Sequence, residues 1–358
     1  MFRTMRGHDK ALAAEADEAR RKFRSDVRDA VSVRTILLVS GVLLLQLGFI
    51  LSYVGAFHSP RPFRIPIGVV APATLGAKIS SQLNGIASDP LRAVLVDNAS
   101  AARHEVEHAS LSAALVINPT STTDMLFVAS AGGASVVAAT EEIITEAESS
   151  LHRHVVVADV VPLQVGDGRG LTGFYLVIGW IVGGYLVAAL LGISGGARPA
   201  TLRRGAIRLL AVVPYAILSG LGGAIIVGPV LGALTGHMVA LWWLGALLVF
   251  AAAAVTMAFE TLFGVIGIGI TVLLFVVLGN PSAGGAYQTA LLPPFWRALS
   301  SALPNGAGVD SVRRIVYFGG QGVGGDLGVI ALYVLGGVFV TLVGSLRHER
   351  RATQQLSD

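Results

Sequence analysis

Six long apolar runs constrain the fold of this chain more than any other feature. A helix needs about 20 apolar residues to cross a bilayer core about 30 Å thick, because each residue adds about 1.5 Å. The chain is 53% hydrophobic and 13% charged, which is far from the average of soluble proteins. The sequence therefore predicts a membrane protein with a six-helix α transmembrane bundle. The runs cover residues 35–57, 171–191, 206–231, 237–257, 261–278 and 327–346.

Lysine and arginine are distributed unevenly around these runs. Nine of the 26 precede Thr35, four lie in 192–208, and three follow Leu346. Six crossings place all three groups on one side, and membrane proteins keep positive charge on the cytoplasmic side. We therefore expect an inner (plasma) membrane protein with both termini cytoplasmic. The N-terminal segment 1–34 and the tail 347–358 are then cytoplasmic.

The N-terminal segment has a basic amphipathic pattern over residues 11–31. Such a helix can lie on an anionic inner leaflet, with its basic side chains among the headgroups. A solvated segment that only sets the topology explains the same pattern, so both interpretations stay open. No motif supports binding of nucleic acid, and the net charge of +4 is read as a topological signal.

Residues 58–170 have the pattern of a folded domain. Short apolar strands alternate with helices, which predicts an extracytoplasmic α/β or α+β domain inserted between the first and second transmembrane helices. A five-helix transmembrane domain follows at 171–346. The chain has no cysteine, so no disulfide or thiolate site is expected. Strands are predicted at 65–70, 91–96, 113–117, 125–129 and 155–161, and helices at 74–86, 101–110 and 134–151.

The segment 279–318 lies between two apolar runs, but glycine and proline interrupt it too often for a crossing. Pro293 and Pro294 open a predicted short helix, and Asn305-Gly306 closes it. We expect Phe295, Leu299 and Leu303 to share one face of that helix. Trp296 is expected at the headgroup level. The segment is therefore predicted to be a re-entrant or interfacial outer element.

A second short helix, at 309–318, is expected to carry Asp310, Arg313 and Arg314 on its polar side. Together with Phe295, Trp296 and Arg297 these residues are candidates for contact with an anionic substrate or for gating an outer exit. The alternative is that they reach the headgroups or pair with one another, and the sequence leaves both open.

The chain contains no recognisable catalytic or cofactor-binding motif. There is no GxxxxGK[ST] phosphate loop, and no paired carboxylates or metal ligands lie near a membrane face, so we expect neither an enzyme nor a bound cofactor or metal. Residues 192–195 match a GxSG pattern of intramembrane proteases, but a turn explains them better. Glu260 is the one acidic residue within the apolar blocks. A solvated helix end is favoured over a proton site for this intramembrane-edge acid.

Several segments resemble the membrane subunits of type-2 ABC exporters, in the group that includes the phage infection protein family. The sheet domain opens with IPIGVVAP at 65–72 and continues with an alanine-rich helix and a strand ending in Ile-x-Pro at 117–119. Ala71-Pro72 departs from the family, which has an acidic residue there. In the outer element the resemblance rests on Pro281, Ser282, Gly284, Gly285, Leu292-Pro293, Phe295-Trp296, Leu303-Pro304 and Arg313.

The resemblance implies a permease that pairs with a second copy of itself in the membrane lipid, with separate ATP-binding cassette ATPase subunits. The loop carrying Arg198, Arg203, Arg204 and Arg208 matches the family's coupling position. The outer element would line the exit of a path for a lipid, glycan, drug or peptide. An envelope scaffold or receptor, whose exported domain binds a partner, is the alternative.

Overall fold

The computed structural model describes residues 17–23, 25–26 and 32–357. The predicted helix over 11–31 lies mainly outside the described residues, although 17–23 and 25–26 are helical. The chain divides into two compact units, of which the first ends at Leu51 and the second begins at Ser52. Helix α1, Val33–Phe57, runs from the first unit into the second and is long and apolar enough to cross a membrane.

A five-stranded mixed sheet follows α1. Its strand order is β2-β1-β3-β4-β5, and all neighbouring strands are parallel except β3 and β4. All eight predicted elements form within three residues of their expected bounds. They are β1 Ile65–Val70, α2 Ala73–Asn84, β2 Leu91–Leu95, α3 Ala99–Glu107, β3 Ala113–Val116, β4 Thr123–Val128, α4 Ala134–Ser150 and β5 His154–Asp159.

The sheet is covered on both faces because its central strands are apolar on both sides. Ile65, Ile67 and Val69 of β1 pack with α2 and α4 in one core. Ala114 of β3 and Phe127 of β4 face the other way and pack with α3. We refer to residues 65–159 as the sheet region.

Four more long apolar helices follow in the second unit. They are α5 Thr172–Gly195, α6 Leu202–Ile225, α7 Met238–Phe263 and α11 Val323–Ser357. With α1 they make five helices in the described part of the chain that can span a membrane. Helix α6 continues as a π-helical turn to Val230. The structure thus shows a mainly helical chain with several apolar spans and a small sheet.

The run predicted to be the fifth crossing is shorter than the others. It forms helix α8, Ile266–Ser282, whose middle part, Leu273–Gly279, is π-helical. At 1.5 Å per residue, α8 is about 25 Å long, at the lower limit for a crossing. The sixth crossing therefore stays a prediction.

Helix α7 is the centre of the bundle and packs against α5, α6 and α11. Glycine allows the closest approaches: a Cβ at Gly184 would meet the carbonyl oxygen of Val249, and a Cβ at Gly220 would meet that of Trp242. Gly179 has nothing within 4 Å of its Cβ position. Close packing in the bundle thus depends on backbone contact between helices, which is also how membrane helices pack closely.

The helix ends meet at one end of the bundle, which we call the basic end. Arg208 donates to the carbonyl oxygen of Gly195 at 2.6 Å, and Arg198 donates to that of Leu262 at 3.3 Å. The backbone N–H of Leu202 donates to the carboxylate of Glu349 at 3.0 Å. The C-terminal part of α11 therefore lies beside the start of α6.

Two short helices follow α8, namely α9 Pro294–Ala302 and α10 Pro304–Tyr317. The helix end expected at Asn305-Gly306 is wrong, because both residues lie in the first turn of α10. Pro304 begins that helix, where its missing N–H is not needed. Gly306 permits close packing, since a Cβ there would collide with the carbonyl oxygen of Ser300.

Candidate functional site

A cavity of about 200 Å³ lies between the sheet region and α10. It brings Asp310, Arg313 and Arg314 together with sheet-region residues that are distant in sequence. Its lining residues are Ala109, Leu111, Ser112, Ala129, Gly132, Gly133, Val136, Val137, Gln288, Thr289, Ala290, Asp310, Arg313, Arg314 and Phe318. We refer to it as the junction cavity.

The position of α10 explains why the cavity forms there. Nine of the 14 residues of α10 are buried. Ala307, Val309, Val312 and Val316 belong to the core of the bundle with α5 and α7. The helix predicted to have a free polar side is thus enclosed by protein on most of its surface.

Both faces of the sheet also receive a side chain from the segment around α10. Leu291, just before α9, packs into the core shared by β1, α2 and α4. Phe318, just after α10, packs into the core under α3. The segment 283–318 is therefore a structural link between the bundle and the sheet region.

Asp310 and Arg313 pair across one turn of α10. The distance from Arg313 Nη1 to Asp310 Oδ1 is 2.9 Å, and Arg313 Nη2 donates to the carbonyl oxygen of Gly284 at 3.3 Å. Arg314 donates to the carbonyl oxygen of Gln321 at 2.9 Å, and its Nε lies 3.4 Å from Asp326. Since a guanidinium has five N–H donors, both arginines keep donors for a ligand in the cavity.

Gln288 closes one side of the cavity, and the sequence analysis did not identify it. Its side chain occupies the space over Gly133, where a Cβ would collide with it, and Gly133 has a φ of +149°. Gln288 Oε1 accepts from the N–H of Val136 at 3.3 Å, and Ser135 Oγ donates to the carbonyl oxygen of Ala286 at 2.6 Å. In the sequence alone, the adjacent glycines 132–133 are the only feature that indicates this contact.

A second cavity, of about 430 Å³, contains Arg297. The guanidinium of Arg297 lies 4.0 Å from the centre of the Phe63 ring, and its Nη2 donates to the carbonyl oxygen of Leu292 at 2.9 Å. Burial lowers the pKa of this arginine. The structure thus places Arg297 apart from Arg313 and Arg314, so the four charged candidates do not form one site.

The two aromatic candidates, Phe295 and Trp296, differ in burial. Trp296 is 8% exposed and packs with Ala56 and Leu292, whereas Phe295 is 59% exposed. Of the three residues expected to share a face, Leu303 is buried and Leu299 packs against the same cluster as Trp296, whereas Phe295 is exposed. Trp296 is a packing residue here because the larger ring fills the space beside Ala56.

The four candidate coupling arginines also differ in environment. Arg198 and Arg208 hold helix ends through carbonyl oxygens, as described above. Arg203 and Arg204 lie in the first turn of α6 and are exposed. Within the described part of the chain, Arg203 and Arg204 make no side-chain contact to a helix end, so they are the two of these four with the most donors left for a partner at the basic end.

The expectation of a solvated Glu260 is wrong. Its side chain is 1% exposed, and its Oε1 has no hydrogen-bond partner. The carboxyl group lies against Gly192 at the end of α5. Helix α7 continues past Glu260 to Phe263, and Gly264 ends it with a φ of +66°, so Glu260 lies within the helix and its side chain packs against α5.

The sheet region holds a second buried group of charges. Asp124 pairs with Arg153 at 2.6 Å, and Glu148 Oε2 lies 3.5 Å from the same arginine. Burial raises the pKa of Glu148 to about 7, and the neighbouring Asp124 carboxylate adds to that shift. Burial acts in the same direction on Asp124, but hydrogen bonds from Arg153 and Asn118 outweigh it and hold the pKa of Asp124 below its usual value.

The chain matches no known protein family, no curated protein and no solved structure. Across 17–23, 25–26 and 32–357 no group of three or more histidine, cysteine, aspartate or glutamate side chains is placed to hold a metal. What the junction cavity offers chemically is a set of guanidinium donors, one carboxylate and an amide beside apolar walls. That combination suits binding of a polar group.

Proposed function

We propose that this chain is the membrane permease subunit of an exporter that takes its energy from a separate ATP-binding cassette ATPase subunit. The observation that carries the proposal is the link formed by α10. One helix shares its apolar side chains with the bundle, and residues at both ends of its segment enter the two cores of the sheet region. A movement of α5 or α7 would therefore be transmitted to the sheet region and would reshape the junction cavity.

The proposed topology has six crossings, with α8 as the fifth in chain order. The sheet region is then extracytoplasmic and the basic end is cytoplasmic, in the inner (plasma) membrane. Contacts of Arg198, Arg208 and Glu349 support this, since they bring the arginine-rich loop and the tail to one end of the bundle. Gln164 and Thr235, joined by a 2.8 Å hydrogen bond, lie at the other end with the sheet region.

In this proposal the junction cavity is the outer binding or gating site. Asp310, Arg313 and Arg314 contact the polar part of a lipid, glycan, drug or peptide cargo. A second copy of the chain completes the transport path. Exposed apolar side chains on α6 and α11 are available to lipid or to that copy, namely Leu210, Leu218, Leu332, Leu335 and Phe339.

The partner subunit is expected to bind at the basic end through Arg203 and Arg204. The test is purification of the full chain from its native membrane under gentle conditions, followed by assay of ATP hydrolysis. We expect a phosphate-loop ATPase to be recovered with the chain. Recovery without any nucleotide-binding subunit would contradict the proposal and favour an envelope scaffold or receptor.

Charge reversal locates the contact. Replacing both residues, Arg203→Glu and Arg204→Glu, is expected to reduce recovery of the ATPase at least tenfold. The matched control is Arg92→Glu, since Arg92 is an exposed arginine in the sheet region. Equal recovery with both variants would place the ATPase contact elsewhere.

A further inference from the structure

Glu260 is a buried carboxyl group that the proposed transport path does not use. It lies one turn before the end of α7, and its side chain is 1% exposed. Oε1 is buried without a hydrogen-bond partner. An ionised carboxylate without a partner is strongly disfavoured at such a place, both in a protein core and within a membrane.

The neighbouring helices leave little room around this carboxyl group. A Cβ at Gly192 of α5 would collide with Oε1 and lie 2.6 Å from Oε2. Gly267 of α8 lies against the backbone at Phe259 and Glu260. Glycine at position 192 therefore allows α5 to lie directly against the carboxyl group, and glycine at position 267 allows α8 to lie against the backbone of the same residue.

The charges that surround Glu260 do not neutralise it directly. Arg208 of α6 acts on it electrostatically, but the Nη2 of Arg208 is bound to the carbonyl oxygen of Gly195 at 2.6 Å. Arg198 is bound to the carbonyl oxygen of Leu262. Helix α5 presents Gly192 to the carboxyl group, and α8 contacts the backbone of Glu260 through Gly267. Helix α11 contacts the next residue, Thr261, through Gly344. No ion pair of Glu260 within 4.0 Å occurs among the described residues.

A proton is the ligand that fits this site. Ca²⁺ and Mg²⁺ are bound through six or more oxygen atoms, whereas here a single carboxyl group lies against α5, and no group of three or more metal-binding side chains occurs in the described residues. One proton turns the carboxylate into a neutral carboxyl group and removes the cost of burying a charge. Residues 193–196, directly after Gly192, are exposed, so a proton from water has only a short path to the site.

We propose that Glu260 is a proton-binding site of the bundle, occupied while α5 and α7 are packed together and emptied when they separate. The carboxyl O–H bond breaks in the separated state, and the proton passes to water at the basic end. The carboxylate then pairs with Arg208, which leaves the carbonyl oxygen of Gly195. Proton binding thereby favours the packed arrangement of α5, α7 and α8.

The proposal is independent of the permease assignment, because it concerns the chain alone. The test uses the full chain in lipid nanodiscs, with infrared difference spectra recorded from about pH 5 to about pH 8. A protonated carboxyl group absorbs at its own C=O stretching frequency. We expect wild-type protein to show this band near neutral pH and Glu260→Gln to lose it. Glu148 is a second buried carboxyl group, and the variant Glu148→Gln shows how much of the band comes from it.

A second variant tests the site without removing the acid. Gly192→Ala forces the carboxyl group out of its enclosure and towards water, which weakens proton binding. We expect the band to disappear at a pH about one unit lower than in the wild type, which is a tenfold loss of proton affinity. Gly179→Ala on the same helix is the control, since nothing lies within 4 Å of its Cβ position. Identical spectra for wild type and Glu260→Gln would overturn the proposal. Identical titration of Gly192→Ala and Gly179→Ala would do so as well.

Discussion

Asn305 of α10 donates through its Nδ2 to the carbonyl oxygen of Phe275 at 3.0 Å. Phe275 lies in the π-helical part of α8, and the same amide group donates to Asn280 Oδ1, also at 3.0 Å. Asn305 is fully buried. A π-helical segment is uncommon and is often found at functional positions. The contact fixes the start of α10 to the irregular part of the bundle.

Replacement of Asn305 tests the importance of this contact. Asn305→Ala leaves buried polar partners on α8 without a donor, which costs about 1–3 kcal/mol of unfolding free energy. Thermal unfolding of the full chain in detergent measures the loss. Ser301→Ala, an exposed position on α9, is the control and should remain within about 0.5 kcal/mol of wild type. Equal stability of the two variants would show that the contact does not hold α10.

Substitutions at the adjacent glycines 132 and 133 test the contact between Gly133 and Gln288 at the junction cavity. Gly133→Ala places a Cβ at a φ of +149° and into the side chain of Gln288, so we expect a loss of about 1–3 kcal/mol and release of the segment around Gln288. Hydrogen exchange of peptides covering 283–293 reports the release. Gly132→Ala is the matched control, because its Cβ would meet Phe318 at an ordinary 3.6 Å. Unchanged hydrogen exchange in Gly133→Ala would show that the contact with Gly133 does not hold the segment around Gln288.

Removal of the hydrogen bond between Tyr317 and Asp167 is expected to lower the stability of the chain. Tyr317 donates through its hydroxyl group to Asp167 Oδ2 at 2.7 Å, and burial, followed by this hydrogen bond, raises the pKa of the tyrosine. Tyr317→Phe removes a donor to a buried carboxylate, which costs about 1.5–3 kcal/mol. Thermal unfolding is the measurement, with Tyr175→Phe as the control because Tyr175 is 63% exposed. The prediction fails if both variants unfold at the wild-type temperature.

The titration of Glu148 is expected to make the stability of the sheet region depend on pH. Its pKa is raised from 4.5 in the unfolded chain to about 7 in the folded one. The folded state therefore binds the proton more tightly, and the stability from this group is fully present below pH 4.5 and lost as the pH rises through about 7. The size of the effect is roughly 1–3 kcal/mol, since Asp124 and Arg153 share the titration.

Hydrogen exchange locates this pH effect. After correction for the intrinsic exchange rate, opening of the segment 148–154 should increase between about pH 5 and about pH 8 in wild-type protein. Glu148→Gln should remove the increase, and Glu146→Gln, at an exposed position two residues earlier, should keep it. An increase that persists in Glu148→Gln would assign the titration to another group.

Local sequence patterns predicted the secondary structure of the sheet region closely. Each strand there is a short apolar run between turn residues, and each helix has an apolar period, so the signal lies within the element itself. The same method failed at Asn305-Gly306. Glycine next to asparagine is typical of a helix end, but here the glycine is needed for contact with Ser300, which the local pattern does not contain.

The candidate site was predicted only in part. Asp310, Arg313 and Arg314 do line one cavity, as expected for residues one turn apart on a helix. Arg297 lies in a different cavity because α9 and α10 are separated by the extended residue Leu303. Gln288 and Gly133 were missed, since 155 positions separate them in the chain.

The sequence by itself determined the apolar helices, the alternation of strands and helices over 65–159, and the uneven distribution of positive charge. These features depend on residues within one or two turns of one another, where periodicity and turn chemistry act. The tertiary structure decided the burial of Trp296, the enclosure of α10 and the isolation of Glu260. Each of those depends on which distant segment packs against the residue, and glycines such as Gly192 allow a close approach that no local sequence pattern predicts.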